Sequence, residues 1–342
     1  MSEYNSLDLS PRNMTGNFYE KAIEAYDTVV KAEHQAKDMI VALHIMGGGN
    51  GMGGALMGPP GTVKSRLLYY AEQTIEGYES NNIANIPHRA DVKPAQLTGE
   101  VSEMETTKEV NGETVRTLIE AKLHPILNSD VLVVKSDEMN RLSPAADNAQ
   151  LSILQDGGVV IFENRKERVL SRFDLVLFAM NNYGTRHTYA MDPAKASRLA
   201  MASFTGIRKK GELSAAGTEL NNSDLRSQEM PSTGFNRKHL LIMREAIPSV
   251  MLSDEKRRLI ARLIISSLDD LQDRGMELGD GRLIDQIHRI ARVFALMTRK
   301  EAVQEVDVLN AFSYSLTAKF GALGCNPYET AQGIEEIFAK AA

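Results

Sequence analysis

Gly58-Pro59-Pro60-Gly61-Thr62-Val63-Lys64-Ser65 matches the phosphate-cradling pattern G-x-x-x-x-G-K-[ST] at every position but one. A short apolar run, Ala55-Leu56-Met57, precedes it and a helix is expected after it, the strand–loop–helix setting in which such a loop works. Backbone N–H groups there turn inward on a β-phosphate, and the helix N-terminus adds its positive end. Lys64 is placed to bridge β- and γ-phosphates, and Ser65 to hold Mg²⁺. The departure is Val63, where the pattern has glycine. Val63 is expected to limit hydrolysis more than folding, so that Val63→Gly raises turnover; if that position needs positive φ, a β-branched residue there is strained by roughly 1–3 kcal/mol. At negative φ the cost is small.

Downstream, Val131-Leu132-Val133-Val134-Lys135-Ser136-Asp137-Glu138 is a hydrophobic strand ending in two carboxylates. Asp137 is suited to bind Mg²⁺, directly or through water, and Glu138 to orient and polarise an attacking water. Lys135 is out of keeping, because alternation puts it on the face of Val133 and Asp137 and an unpaired buried ammonium costs several kcal/mol. It needs a carboxylate partner or an exit to water. Asp174 to Met180 reads as a second buried strand. Between them, Ser143 and Pro144 open a predicted helix that closes near Gly157-Gly158. Asn111-Gly112 fits a two-residue hairpin turn, and Val159 to Phe162 with Val169-Leu170 flank a second, charged turn, ENRKER.

Further out, residues 1–17 read as a flexible arm, and one helix is expected from about Phe18 to Leu43. The glycines at 47 to 49, 51, 53 and 54 deny regular structure in the stretch before the phosphate loop. Strands alternating with helices imply a parallel sheet with helices on both faces. That pattern stops near residue 204, and residues 206–235, rich in Gly, Ser, Asn and charge, read as a linker. Beyond it Leu283, Ile287, Ile290, Phe294 and Met297 step by four, three, four and three, as do Ile260, Ile264, Leu268 and Leu271, the spacing of helical faces. The chain therefore divides into an α/β domain over 18–205 and a smaller all-helical domain over 236–342.

With 342 residues, 43% hydrophobic and 25% charged, the composition is that of a soluble globular protein. A net charge of -6 argues against holding nucleic acid by bulk positive charge. The single Cys325 cannot form an internal disulfide, the N-terminus lacks a signal-peptide pattern, and no apolar run is long enough to span a bilayer. A cytoplasmic protein is expected. The seven histidines show no tight metal-ligand spacing.

GPPGTVKS, DVKPAQLTGEV, DEMNRLSPAADNAQLSILQDGGVVI and FDLVLFAMNN, taken in order, resemble the AAA+ ATPases of the MoxR type over about residues 40 to 320. In that family the strand acids are followed by Asn-Arg and a proline-started helix, as in Asn140, Arg141 and Pro144, and hairpins are inserted where the two turns above fall. The resemblance implies a P-loop AAA+ parallel sheet flanked by helices, followed by a smaller all-helical lid. It implies ATP and Mg²⁺ as ligands, bound by residues 58 to 65. Asn182 falls at the first sensor, which helps align the attacking water, with Asn181 the off-by-one choice. Arg198, in Ser-Arg-Leu where the family has Asp-Arg-Phe, matches the arginine that reaches a neighbour's γ-phosphate and is expected to face outward. Arg282 fits the second sensor, contacting phosphate from the same subunit.

The function so implied is hydrolysis of ATP in a ring, a hexamer in the family, that remodels or matures a protein partner. A partner carrying a von Willebrand factor A domain is expected from the same resemblance. Val63 and Lys135 raise the alternative of a nucleotide-gated scaffold that hydrolyses slowly or not at all. A nucleic-acid motor is disfavoured by the acidic charge and by the lack of an added DNA-binding domain.

Overall fold

The computed structural model describes residues 10–30, 33–48, 52–86, 105–110, 113–118, 130–143, 159–161, 167–169, 173–181, 188, 191–206, 229–275 and 280–341. Helix α1 is Pro11–Val29, so residues 11–17 are helical and not part of a flexible arm. Ser10 accepts a hydrogen bond from Asn13 N and Pro11 occupies the first turn, a start signal that the polar look of the segment masked. The helix expected to run to Leu43 is two helices. Glu33, at φ 69°, turns the chain into α2, His34–Met46.

Strand β1, Gly53–Gly58, takes in two of the glycines expected to deny regular structure. A Cβ on Gly54 would lie 2.2 Å from Leu43 Cδ1, so the glycine lets α2 pack directly on the strand. Helix α3 is Lys64–Ala71 and β2 is Ile83–Asn85. The first hairpin pairs β3, Glu105–Val110, with β4, Glu113–Leu118, in a register that puts Val110 opposite Glu113, while Asn111 and Gly112 lie outside the described residues. Strand β5 is Val133–Ser136. The second hairpin pairs β6, Val159–Ile161, with β7, Glu167–Val169. Strand β8 is Leu175–Asn181, the four-residue helix α4 is Pro193–Ala196, and β9 is Leu199–Phe204. The helix expected from Pro144 lies outside the described residues.

The five strands of the main sheet are all parallel, in the order β2-β5-β8-β1-β9. Neither β2 nor β9 is evident in the sequence. Leu-Ala-Met-Ala-Ser-Phe has no β-branched residue and reads as helix by propensity, so its place beside β1 is a tertiary outcome. Side chains alternate along β1, so Gly54 against α2 and Met57 against Gly321 place helices on opposite faces of the sheet.

The described carboxy-terminal residues form five α-helices: α5 Arg237–Ala246, α6 Asp254–Asp273, α7 Asp280–Met297, α8 Glu305–Ala322 and α9 Pro327–Ala341. The predicted stripe residues Leu283, Ile287, Ile290, Phe294 and Met297 of α7 are all buried. Helix α8 lies along β9, while α1 and α2 both pack on α7. The end of the expected linker is likewise packed. Thr233 donates to Thr74 O at 2.8 Å and the Phe235 ring lies 5.1 Å from that of Phe18. Fully buried Asp174, just before β8, accepts from Arg237, Arg244 and Tyr78, which ties α5 to the sheet. Among the described residues no helix is long and apolar enough to cross a membrane.

One buried group carries a pH dependence. His44 of α2 is fully buried with Nε2 2.9 Å from the Ala71 carbonyl, an acceptor only, so the neutral ring donates from Nε2. Burial, with Arg244 nearby, pulls its pKa from 6.5 to about 4. Between those values the unfolded chain binds a proton that the folded chain refuses. Stability is therefore full above pH 6.5 and falls as the pH drops toward 4, by roughly 3 kcal/mol for this group. Thermal unfolding followed over that range should show the loss, and His44→Gln, which keeps a donor for Ala71 but does not titrate, should flatten the slope.

Candidate nucleotide site

The phosphate loop is held open by one backbone conformation and one close contact. Gly61 has φ 82°, the left-handed region that glycine enters at no steric cost. At Gly58 a Cβ would sit 2.5 Å from the Thr205 carbonyl oxygen, so the strand end passes too near β9 for any side chain. Thr205 fastens the same spot: its N–H and its hydroxyl both donate to Met57 O, at 2.7 and 3.2 Å. Its hydroxyl also lies 3.1 Å from that of Thr62. Nothing local in the sequence singles out Thr205 for this duty.

Val63 has φ -71° and ψ 7°. The glycine of the pattern is not needed for backbone reasons, and the expected strain is absent. The side chain instead packs partly buried against the core. Val63→Gly is therefore expected to leave turnover no higher than wild type. It should cost about 0.5–1 kcal/mol in backbone entropy, read as a lowered melting temperature.

Lys64 opens α3 almost entirely buried, its ammonium donating to Gly58 O at 2.9 Å, Pro59 O at 2.7 Å and Thr62 Oγ1 at 3.1 Å. Burial lowers its pKa, while Asp137 and Glu138 oppose that shift. All three N–H groups are thus engaged on the loop itself, in the cradle that a phosphate oxygen would enter. Next to it the Ser65 hydroxyl donates to Asp137 Oδ2 across the gap between α3 and the end of β5. A hydroxyl and a carboxylate side by side are hard oxygen donors of the kind Mg²⁺ takes, with phosphate and water completing its shell. Among the described residues no cluster of three His, Cys, Asp or Glu forms another metal site.

Glu138 occupies the left-handed region at φ 62°, ψ 41°, where a non-glycine residue is strained. The backbone is held there by several contacts. Its N–H donates to Asp137 Oδ1 at 3.0 Å, and its carboxylate pairs with Arg141 at 2.7 Å and accepts from Asn181 Nδ2 at 3.3 Å. Asn140 fixes the end of β8 by donating to Asn181 O at 2.9 Å and accepting from Asn181 N at 3.4 Å. Asn181, the off-by-one choice, donates to the Glu138 carboxylate, while Asn182 lies outside the described residues. Arg141 was noted in the sequence only as part of a pattern. Lys135 finds its carboxylate in Glu72 and sits 6.0 Å from the Tyr69 ring centroid, so it is a paired cation.

The two arginines occupy a different place. Arg198 immediately precedes β9, and in the register of the sheet Leu199 lies beside Gly53, at the end of β1 opposite the phosphate loop. The six residues of β1 separate the ends by about 17 Å, beyond the reach of any side chain. Arg198 does not point outward as expected. It is 8% exposed and folds back to donate to Ala194 O at 2.5 Å, one of the last carbonyls of α4. Arg282, near the start of α7, donates to Ser197 Oγ at 2.9 Å. It therefore lies beside Arg198, at the end of the sheet away from the phosphate loop of its own chain, which is not the place expected for a same-subunit phosphate contact. The residue's helix was legible, but the side of the sheet on which that helix docks was not.

Residues 55–199 match the family model of the AAA domain, dynein-related subfamily. The match starts within β1 and ends at the first residue of β9, so it takes in the phosphate loop, Asp137, Glu138 and Arg198. The crystal structure of a provisionally assigned ATPase from Cytophaga hutchinsonii is similar with a TM-score of 0.64 and 20% identity, covering 97% of both chains. That likeness speaks for the fold, and it extends through the carboxy-terminal helices. No curated protein matches the chain.

Proposed function

We propose that this chain is a Mg²⁺-dependent ATPase of the MoxR type that works as a ring, a hexamer by family resemblance, and remodels or matures a protein partner. The observation that carries the reading is the constellation at the carboxyl ends of β1, β5 and β8. Lys64 and Ser65 face Asp137, while Asn181 and Arg141 hold the Glu138 carboxylate. Within it Lys64 and the loop N–H groups bind phosphate, Ser65 and Asp137 hold Mg²⁺, and Asn181 keeps Glu138 where a water can be oriented. Bound Mg²⁺ neutralises charge on the phosphates. Arg198 and Arg282, at the other end of the sheet, are assigned to the nucleotide of a neighbouring copy. A partner with a von Willebrand factor A domain belongs to the same reading.

The scaffold alternative rested on Val63 and Lys135, and an unstrained Val63 and a paired Lys135 remove both arguments. Steady-state phosphate release over a protein concentration series, with ATP and with GTP, tests the proposal. Specific activity that rises with concentration supports an assembled ATPase. No release at any concentration, with nucleotide still bound, returns the scaffold.

A further inference from the structure

The backbone on either side of Arg198 is gripped by side chains from the carboxy-terminal helices. Lys319 of α8 is 1% exposed, and its ammonium donates to Ala196 O at 3.0 Å, Leu199 O at 2.5 Å and Gln286 Oε1 at 3.3 Å. Gln286 of α7, itself fully buried, passes the grip on, its Nε2 donating to Ser197 O at 3.0 Å. Arg282 adds the contact to Ser197 Oγ. The carbonyls of residues 196, 197 and 199 are thus all taken by α7 or α8, and the residue in the middle is Arg198.

This arrangement is expensive. Among the described residues no carboxylate pairs with Lys319, its three acceptors are uncharged oxygens, and Arg282 is a second cation nearby. Burial and that neighbour pull its pKa down to about 7. A methionine of similar volume would fill the space without desolvating a charge. What it could not do is hold three oxygens in fixed directions. Helix α4 is a single turn and cannot by itself fix the exit of the chain toward β9, so the direction in which Arg198 leaves the backbone depends on the ammonium.

We propose that Lys319 is a positioning residue which, with Gln286, locks the 196–199 backbone to α7 and α8 and so sets the aim of Arg198 toward a neighbouring copy's nucleotide. The proposal rests on the assignment of Arg198 to a shared site. It makes the carboxy-terminal helices part of the hydrolytic machinery, because a shift of α8 relative to β9 moves the arginine.

The test uses the full chain and compares Lys319→Met, Gln286→Met, Lys319→Arg and Arg198→Ala, alone and combined. Misplacing a catalytic group by about 1 Å costs on the order of 10² in rate. Lys319→Met and Gln286→Met are therefore expected to keep ATP affinity within a factor of about two while losing roughly tenfold to hundredfold in kcat. Lys319→Arg, which keeps charge and donors, should recover part of the loss. In the double variant Lys319→Met/Arg198→Ala the rate should equal that of Arg198→Ala alone, since there is nothing left to aim. Wild-type turnover in both methionine variants, or a Lys319→Met defect that multiplies in full with that of Arg198→Ala, overturns the proposal. So does a loss of ATP affinity in step with a fall in melting temperature, which would make the two residues core packing only. If Arg198→Ala itself turns over normally, the shared-site reading fails first; if only the methionine variants do, that reading stands and the clamp alone falls.

Discussion

Lys64→Ala is expected to remove nucleotide binding, while Glu138→Gln keeps binding and loses turnover. The ammonium of Lys64 lies in the loop that surrounds the phosphates, whereas Glu138 stands past the end of β5 and faces Asn181 and Arg141. Hydrogen bonds from a charged donor are worth about 1.5–3 kcal/mol each, so loss of two phosphate contacts corresponds to roughly 10²–10⁴ in Kd. The lower part of that range applies. The same N–H groups satisfy the Gly58 and Pro59 carbonyls and the Thr62 hydroxyl, and nucleotide must displace them. Glu138→Gln leaves a side chain of the same shape but without the charge that polarises water, so kcat falls with little change in affinity. Calorimetric titration with ATP, beside single-turnover hydrolysis, separates the two. Equal affinity of wild type and Lys64→Ala would remove the phosphate loop from the argument.

The parts of this site that were legible in sequence are those whose chemistry is local. Gly61 must supply a positive φ, Lys64 and Ser65 must open a helix, and Asp137 and Glu138 must end a buried strand; each is decided by residues within one turn of the chain. Lys135 was legible as a problem, and Glu72, 63 positions earlier, is its answer. What stayed hidden is tertiary. Strand β9 has the composition of a helix and is a strand only because β1 offers it an edge. That Asn181 reaches Glu138 depends on a one-residue register at the end of β8 that no pattern of composition records. The site of Arg282 was misjudged for a related reason. Periodicity gives the buried face of α7 but not the end of the sheet at which that helix starts, and the contact with Ser197 settles that end.

Arg198→Ala is expected to cut hydrolysis by on the order of 10³–10⁵ while sparing binding, the range known for an arginine supplied in trans to a transferring phosphoryl group. The geometry excludes a role on the nucleotide of its own chain, because the length of β1 separates Arg198 from the phosphate loop. It does not prevent the arginine from reaching outward. The side chain is tied back by its bond to Ala194 O, and giving up a bond of that kind costs about 1–3 kcal/mol. The catalytic gain in question is about 4–7 kcal/mol, so a neighbour's γ-phosphate wins the guanidinium once it comes within reach. Mixing then gives the decisive result. Rings made from Arg198→Ala and Glu138→Gln subunits, each inactive alone, contain interfaces that pair an intact Glu138 with an intact Arg198, and part of the activity should return. The mixture must be shown to contain mixed assemblies, for instance by mass spectrometry of differently tagged subunits. If mixed assemblies form and activity stays at the level of either variant alone, the two residues do not serve one site. If Arg198→Ala by itself turns over like wild type, the bond to Ala194 O is what the residue is for, and the chain needs no neighbour to hydrolyse its nucleotide.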